Sequence, residues 1–221
     1  MTDAPTGRRR SGLLQERSRR TRQALIRAAL GLWSERGFET GIEDTTVEEI
    51  VQAAGVTKGT FYFHFARKEQ ILLEMGWETA EAVYQEAVSG LDAGRAVEDA
   101  LARIMSVLAR RIRAAPPAAV ARAAAEFRRA PVTELDSTGR VSFVVAFTAV
   151  FSRAQEEGEV AADRSAEDMA QMLEALVMDS ILDWAVCQVE LEPALKARTA
   201  VLLAGLRRRP PVLAKPTRSS R

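Results

Sequence analysis

The chain has 221 residues, 47% hydrophobic and 28% charged, an ordinary balance for a soluble globular protein with enough length to bury a sizeable core. Its net charge is only +1 and Cys187 is its one cysteine, which excludes an intrachain disulfide and a thiolate metal cluster and fits a reducing cytoplasm. No apolar run approaches the roughly 18 residues that span a bilayer, and the opening MTDAPTGRRRSG lacks the apolar centre of a signal peptide, so a soluble cytoplasmic protein without a membrane partner is expected.

Residues 1–14 read as a disordered basic arm, interrupted by Pro5, Gly7 and Gly12. From Arg8 to Arg27 the arginines face only Glu16. This local excess in a nearly neutral chain points to a polyanion site or to a solvated tail. The first helix is expected from about Gln15 to Gly37, with Ile26, Ala29, Leu30 and Trp33 as its buried stripe. Arg19, Arg20 and Arg22 lie near its start, where the helix dipole gives them no advantage; phosphate contact would. The link Glu39–Asp44 carries three acids and reads as a solvent-facing loop.

Thr46 to Lys68 reads as two short helices with a tight turn between them. Thr46 can cap the first and Glu49 can reach back to it. Val47, Ile50, Val51 and Ala54 share a face, and Gly55 can end the helix in the left-handed region. Thr57 can cap the second helix, Lys58 to Phe65, in which Phe61 and Phe65 lie four apart and can face inward. Helix, glycine turn and helix with a polar outer face is the helix-turn-helix arrangement, whose second helix fits the major groove of DNA.

The wording GVTKGTFYFHFARKEQIL within this stretch resembles the DNA-binding domain of the TetR family of one-component regulators, from about Arg22 to Leu73. Gly37-Phe38 resembles the pair that closes the family's first helix, and the longer link after it departs from the family's pattern. The resemblance implies that Tyr62 and Lys68 touch the DNA backbone and that the last two helices pair with their symmetry mates. Lys58 can donate to guanine or phosphate, and Thr60 to phosphate or against a thymine methyl. Thr46 and Thr57 can add donors at helix starts. His64 is expected to pack or touch phosphate, and Gly59 lacks a Cβ that would crowd the DNA or simply tolerates its place.

Beyond Lys68 the chain reads as further helices: to about Ser89 and stopped by Gly90, then Arg95–Ala114, Ala118–Arg129, Val141–Gln155, Ala166–Val189 and Ala194–Arg208. No period-two pattern of useful length appears. Trp77, Tyr84, Met105, Leu108, Phe127, Phe143, Phe147, Phe151, Met172 and Leu176 could line an effector pocket or form a solid core. Asp179 and Asp183 fall a turn apart among them, and could anchor a cationic ligand, pair with Arg198 across a dimer or lie at a wet edge. The sole histidine, His64, leaves no two-histidine metal site, and no phosphate loop or dinucleotide fingerprint is present. No cofactor, metal or catalytic residue is expected.

The expected protein is all-α. Residues 15–67 form a three-helix helix-turn-helix DNA-binding domain, 68–209 a helical effector-binding and dimerisation domain, and 210–221 a basic tail. The function expected is that of a homodimeric repressor on palindromic double-stranded operator DNA, released by a small, largely apolar effector. The rival readings are an effector-independent DNA-binding protein and a helical-bundle carrier or enzyme.

Overall fold

The computed structural model describes residues 6–129 and 140–207. Among these residues the regular structure is helical: α1 (Thr6–Arg36), α2 (Gly41–Asp44), α3 (Val47–Ala54), α4 (Lys58–His64), α5 (Gln70–Asp92), α6 (Val97–Arg113), α7 (Pro117–Arg129), α8 (Phe143–Glu156), α9 (Ala166–Cys187) and α10 (Leu191–Leu206). The all-α class read from the sequence is what is observed.

Three expectations about the elements change. α1 begins at Thr6 rather than Gln15, so residues 6–14 of the expected disordered arm are helical. Gly7 and Gly12 each cost about 1 kcal/mol in a helix, too little to stop one that also carries three arginines and two leucines over these residues. The Glu39–Asp44 link is not a solvent-facing loop: Gly41–Asp44 is helical, with Gly41 and Ile42 buried. α5 runs through Gly90 to Asp92; the left-handed residue beyond it is Gly94, at φ 61°. The basic tail from residue 208 and residues 1–5 lie outside the described residues.

The chain divides into two compact units. The first comprises Met1–Thr79, Arg111–Arg140 and Ile181–Val189; the second comprises Ala80–Arg110, Val141–Ser180 and Glu190–Arg221. The first unit thus extends past the expected boundary at residue 67. The reason is burial: Ile71 and Leu72 of α5 and Ala119 of α7 share one core with Leu25, Ala29, Trp33, Ile50 and Phe61. α1 packs on α2 and α3, and α3 on α4. The α1 stripe is Leu25, Ala29 and Trp33, all without exposed surface, with Ile26 and Leu30 half-buried beside it. Large side chains buried in this way contribute about 1.5–3 kcal/mol each.

In the second unit Leu101, Ile104, Met105, Leu108, Phe147 and Phe151 are buried. The start of α6 is capped from afar, the Val97 amide donating to the Glu159 carboxylate at 3.0 Å, where a negative charge suits the dipole. α9 opens on a side-chain cap, the Asp168 amide donating to the Ser165 hydroxyl at 2.9 Å. Among the described residues no helix is long and apolar enough to cross a membrane.

Candidate nucleic-acid interface

The turn between α3 and α4 forms for local reasons. Thr46 caps α3 through a complete capping box: its hydroxyl accepts from the Glu49 amide at 3.2 Å, and its own amide donates to the Glu49 carboxylate at 2.7 Å. Gly55 ends α3 at φ 68°, ψ 33°, a left-handed conformation that only glycine enters without steric cost. The Thr57 hydroxyl then accepts from the Thr60 amide at 3.2 Å and opens α4.

With seven residues, α4 is far below the length at which an isolated helix persists in water. It is held from below. Phe61 and Phe65 are buried, and their rings lie 5.7 Å apart. The Arg22 guanidinium lies 4.3 Å over the Phe65 ring and donates to the His64 carbonyl at 2.9 Å and to the Glu74 carboxylate. Burying Phe61 and Phe65 turns the rest of the helix outward. Thr57, Lys58 and Gly59 are exposed and Thr60 and His64 half-buried, while Tyr62 is 51% and Phe63 79% exposed.

These contacts redistribute the predicted roles. Thr46, Thr57, Lys58, Gly59, Thr60, Tyr62 and His64 gather on and around one small helix. Arg22 does not join them, because it stands three residues before Leu25 on the buried face of α1; its donors brace the end of α4. The 22, 25, 29, 33 spacing carries that signal. Arg19 and Arg20 are exposed, with Arg20 bonded to Glu16 at 3.0 Å. Lys68 also has an internal role: its ammonium donates to the carbonyls of Glu43 at 3.0 Å and Thr45 at 2.7 Å. Lys58 forms an ion pair with Glu48 of α3. Burial, and then the Arg22 charge, lower the pKa of His64 below its ordinary 6.5, so its ring is mostly neutral at pH 7.

Phe63 was not among the predicted residues. Two positions from each buried phenylalanine, it falls on the far side of the helix, and that spacing could have singled it out. Gly59, four residues before it, shares its face. A Cβ at Gly59 would meet only the Thr57 hydroxyl oxygen, at 3.9 Å.

The residues proposed for an effector pocket fall in both units, Trp77 and Phe127 in the first and the others in the second. Within the second unit, Met105, Leu108, Phe143, Phe147 and Phe151 are buried and Tyr84 and Leu176 half-buried; the Phe143 and Phe147 rings stack at 6.3 Å. Met172 and Asp179 are surface residues instead. Met172 is 43% exposed, and Asp179 accepts from Arg198 of the same chain at 2.7 Å. Asp179 is exposed in the single chain, where its position on α9 points out of the core. A cleft of about 380 Å³ in the first unit is lined by Glu43, Arg67, Glu69, Leu72, Arg122, Ala125 and Glu126. Ion pairs Arg122–Glu43 and Arg67–Glu126 fall within it, a polar lining unlike an apolar effector site.

The family model for bacterial regulatory proteins of the tetR family matches residues 25–75, which include α2, α3 and α4. Over 75 residues the chain is 45% identical to the HTH-type transcriptional regulator TcmR of Streptomyces glaucescens; the match covers 33% of this chain and 31% of TcmR, so the chain spans about a third of that relative's length. It is 28% identical over 174 residues to the HTH-type transcriptional repressor BepR of Brucella suis, which covers 74% of this chain and 80% of BepR. In structure it is similar to Thermus thermophilus FadR, a TetR-family transcriptional repressor solved in complex with lauroyl-CoA, with a TM-score of 0.72 and 27% identity across 88% of this chain and 100% of that one. TcmR and BepR are transcriptional regulators. Residues 25–75 are thus similar to the DNA-binding part of the tetR family of bacterial regulatory proteins, and the fold along most of the chain is similar to that of a TetR-family repressor.

Proposed function

We propose that this chain is a cytoplasmic, homodimeric repressor that inserts α4 into the major groove of palindromic operator DNA and is released by a small, largely apolar effector. The observation that carries the reading is the outer face of α4. Lys58, Gly59, Tyr62 and Phe63 are all exposed there, on a helix too short to stand alone, and nothing within 4 Å except the Thr57 hydroxyl oxygen borders the missing side chain of Gly59. Lys58 and Phe63 suit base edges and Tyr62 a phosphate, while Arg19 and Arg20 add phosphate contacts that set register without reading sequence.

One α4 reads few bases. Two copies related by a twofold axis read half-sites roughly 34–36 Å apart. The seam is formed by α9 and α10, which leave Met172 and Val201 exposed at 43% and 76% and carry small exposed residues at Ala175, Ala197, Ala200 and Ala204. The effector acts by population shift, favouring a state of the dimer in which the two α4 helices no longer match successive groove turns. Lauroyl-CoA, the molecule bound by Thermus thermophilus FadR, is the first compound to test.

A gel shift with duplex from the region upstream of the coding sequence tests the DNA-binding part. Binding at low salt is expected, weakened about tenfold or more by Lys58→Ala or Tyr62→Ala. Lack of binding, or insensitivity to both changes, refutes the reading. Release of the shifted band by micromolar lauroyl-CoA supports an acyl effector, and an unchanged band rejects that compound.

A further inference from the structure

We propose that Glu48 and Lys58 act together as one reading head for a G·C base pair; the inference rests on the DNA-binding reading above. Glu48 stands in the first turn of α3 and Lys58 opens α4, and their side chains form an ion pair across the turn. Both are open to solvent, at 61% and 55%, so the pair adds little to folding. Its position matters more. If Lys58 reaches the major groove, the carboxylate of Glu48 is carried there with it.

A carboxylate among phosphates is repelled unless the DNA offers it a donor. In the major groove the donors are the amino groups of cytosine and adenine. A G·C pair sets two acceptors, guanine N7 and O6, beside one donor, cytosine N4. An ammonium and a carboxylate held side by side match that row: Lys58 donates to the guanine and Glu48 accepts from the cytosine. An A·T pair puts its donor between two acceptors, so the ammonium finds one acceptor where guanine gave two. The Lys58 hydrogen bond also lowers the pKa of Glu48, which keeps it an acceptor at neutral pH. The dipole of α3 favours an acid in this turn, but it does not account for a match with the first residue of the next helix.

The same pair has a consequence on DNA of the wrong sequence. There Lys58 remains neutralised by Glu48 and releases no counterion, so non-specific affinity is held down. Glu48 therefore raises the ratio of specific to non-specific binding although it carries the sign of the DNA.

The experiment selects duplexes from a randomised pool with the full chain, then measures affinity for the best duplex with each base pair changed in turn. For the wild type, one G·C position in each half-site is expected to cost about tenfold or more when changed to A·T. Glu48→Ala should shrink that penalty to a few-fold at that position alone. It should also tighten binding to an unrelated duplex and steepen its salt dependence by about one phosphate's worth. Glu48→Gln should turn the preference toward A·T, because an amide pairs with adenine. Lys58→Ala should flatten the same position. Penalties unchanged in Glu48→Ala, a uniform shift on all duplexes, or a different position flattened by Lys58→Ala would each overturn the inference. If the wild type selects no duplex at all, the DNA-binding reading itself fails.

Discussion

Gly59 and Glu49 show how differently single residues serve this domain. Gly59 has no contact inside the chain that demands it, and glycine costs a helix up to about 1 kcal/mol relative to alanine. Gly59→Ala is therefore expected to leave urea stability unchanged or raised by as much as that, while DNA affinity falls; a stability loss would assign the glycine to the fold. Glu49 works entirely inside the domain. The hydrogen bond from Arg36, followed by those from the Thr46 amide and hydroxyl, lowers its carboxyl from 4.5 to about 2. A carboxylate whose pKa is lowered by folding adds stability above its unfolded value, and this is lost as pH falls from about 4.5 through about 2. The melting temperatures of wild type and Glu49→Gln should differ at pH 7 and converge near pH 2; a constant gap across that range would remove Glu49 from the acid response. Arg22 and Lys68 show the limit of reading residues one at a time. Both look like phosphate ligands in a list of cations, and both spend donors on carbonyl oxygens of their own chain.

At the scale of elements, α2 is where this chain departs most from expectation, and packing explains it. Ile42 is 1% exposed within the core of the first unit. Gly41 permits the approach, since a Cβ there would lie 2.8 Å from the Cβ of Arg36 and 3.1 Å from the Trp33 carbonyl oxygen. Three cations fasten the insert: Arg36 donates to the Asp44 carbonyl and the Thr45 hydroxyl, Lys68 to the Glu43 and Thr45 carbonyls, and Arg122 to the Glu43 carboxylate. Ile42→Ala should cost about 2–5 kcal/mol in urea unfolding; a loss below about 0.5 kcal/mol would mean that α2 is loosely held. The acids of the link pointed to solvent and concealed this, because one isoleucine among them gives no periodic signal. α4 was legible for the opposite reason: cap, glycine turn and two phenylalanines four apart are all local.

For the whole molecule the proposed pairing of two chains is the quantity to test, and Val201 is its most direct probe. It is a large apolar residue left 76% exposed on α10, with little role in the packing of its own chain. Val201→Glu should leave helicity and melting of the subunit nearly unchanged, shift sedimentation to the monomer, and reduce operator affinity by about 10²-fold or more through loss of the second half-site. A dimer that persists would move the seam elsewhere. The sequence by itself determined the helical class, the helix-turn-helix with its caps and left-handed glycine, and the outward placement of Lys58 and Tyr62, because these depend on residues within a few positions of one another. Only the tertiary structure decided that Arg22 and Lys68 brace the fold, that α2 is buried, that Met172 and Asp179 lie on the surface, and that α5 and α7 share the core of the first unit. Each of those outcomes depends on a partner brought close by folding from elsewhere in the chain, and spacing along a sequence carries no record of it.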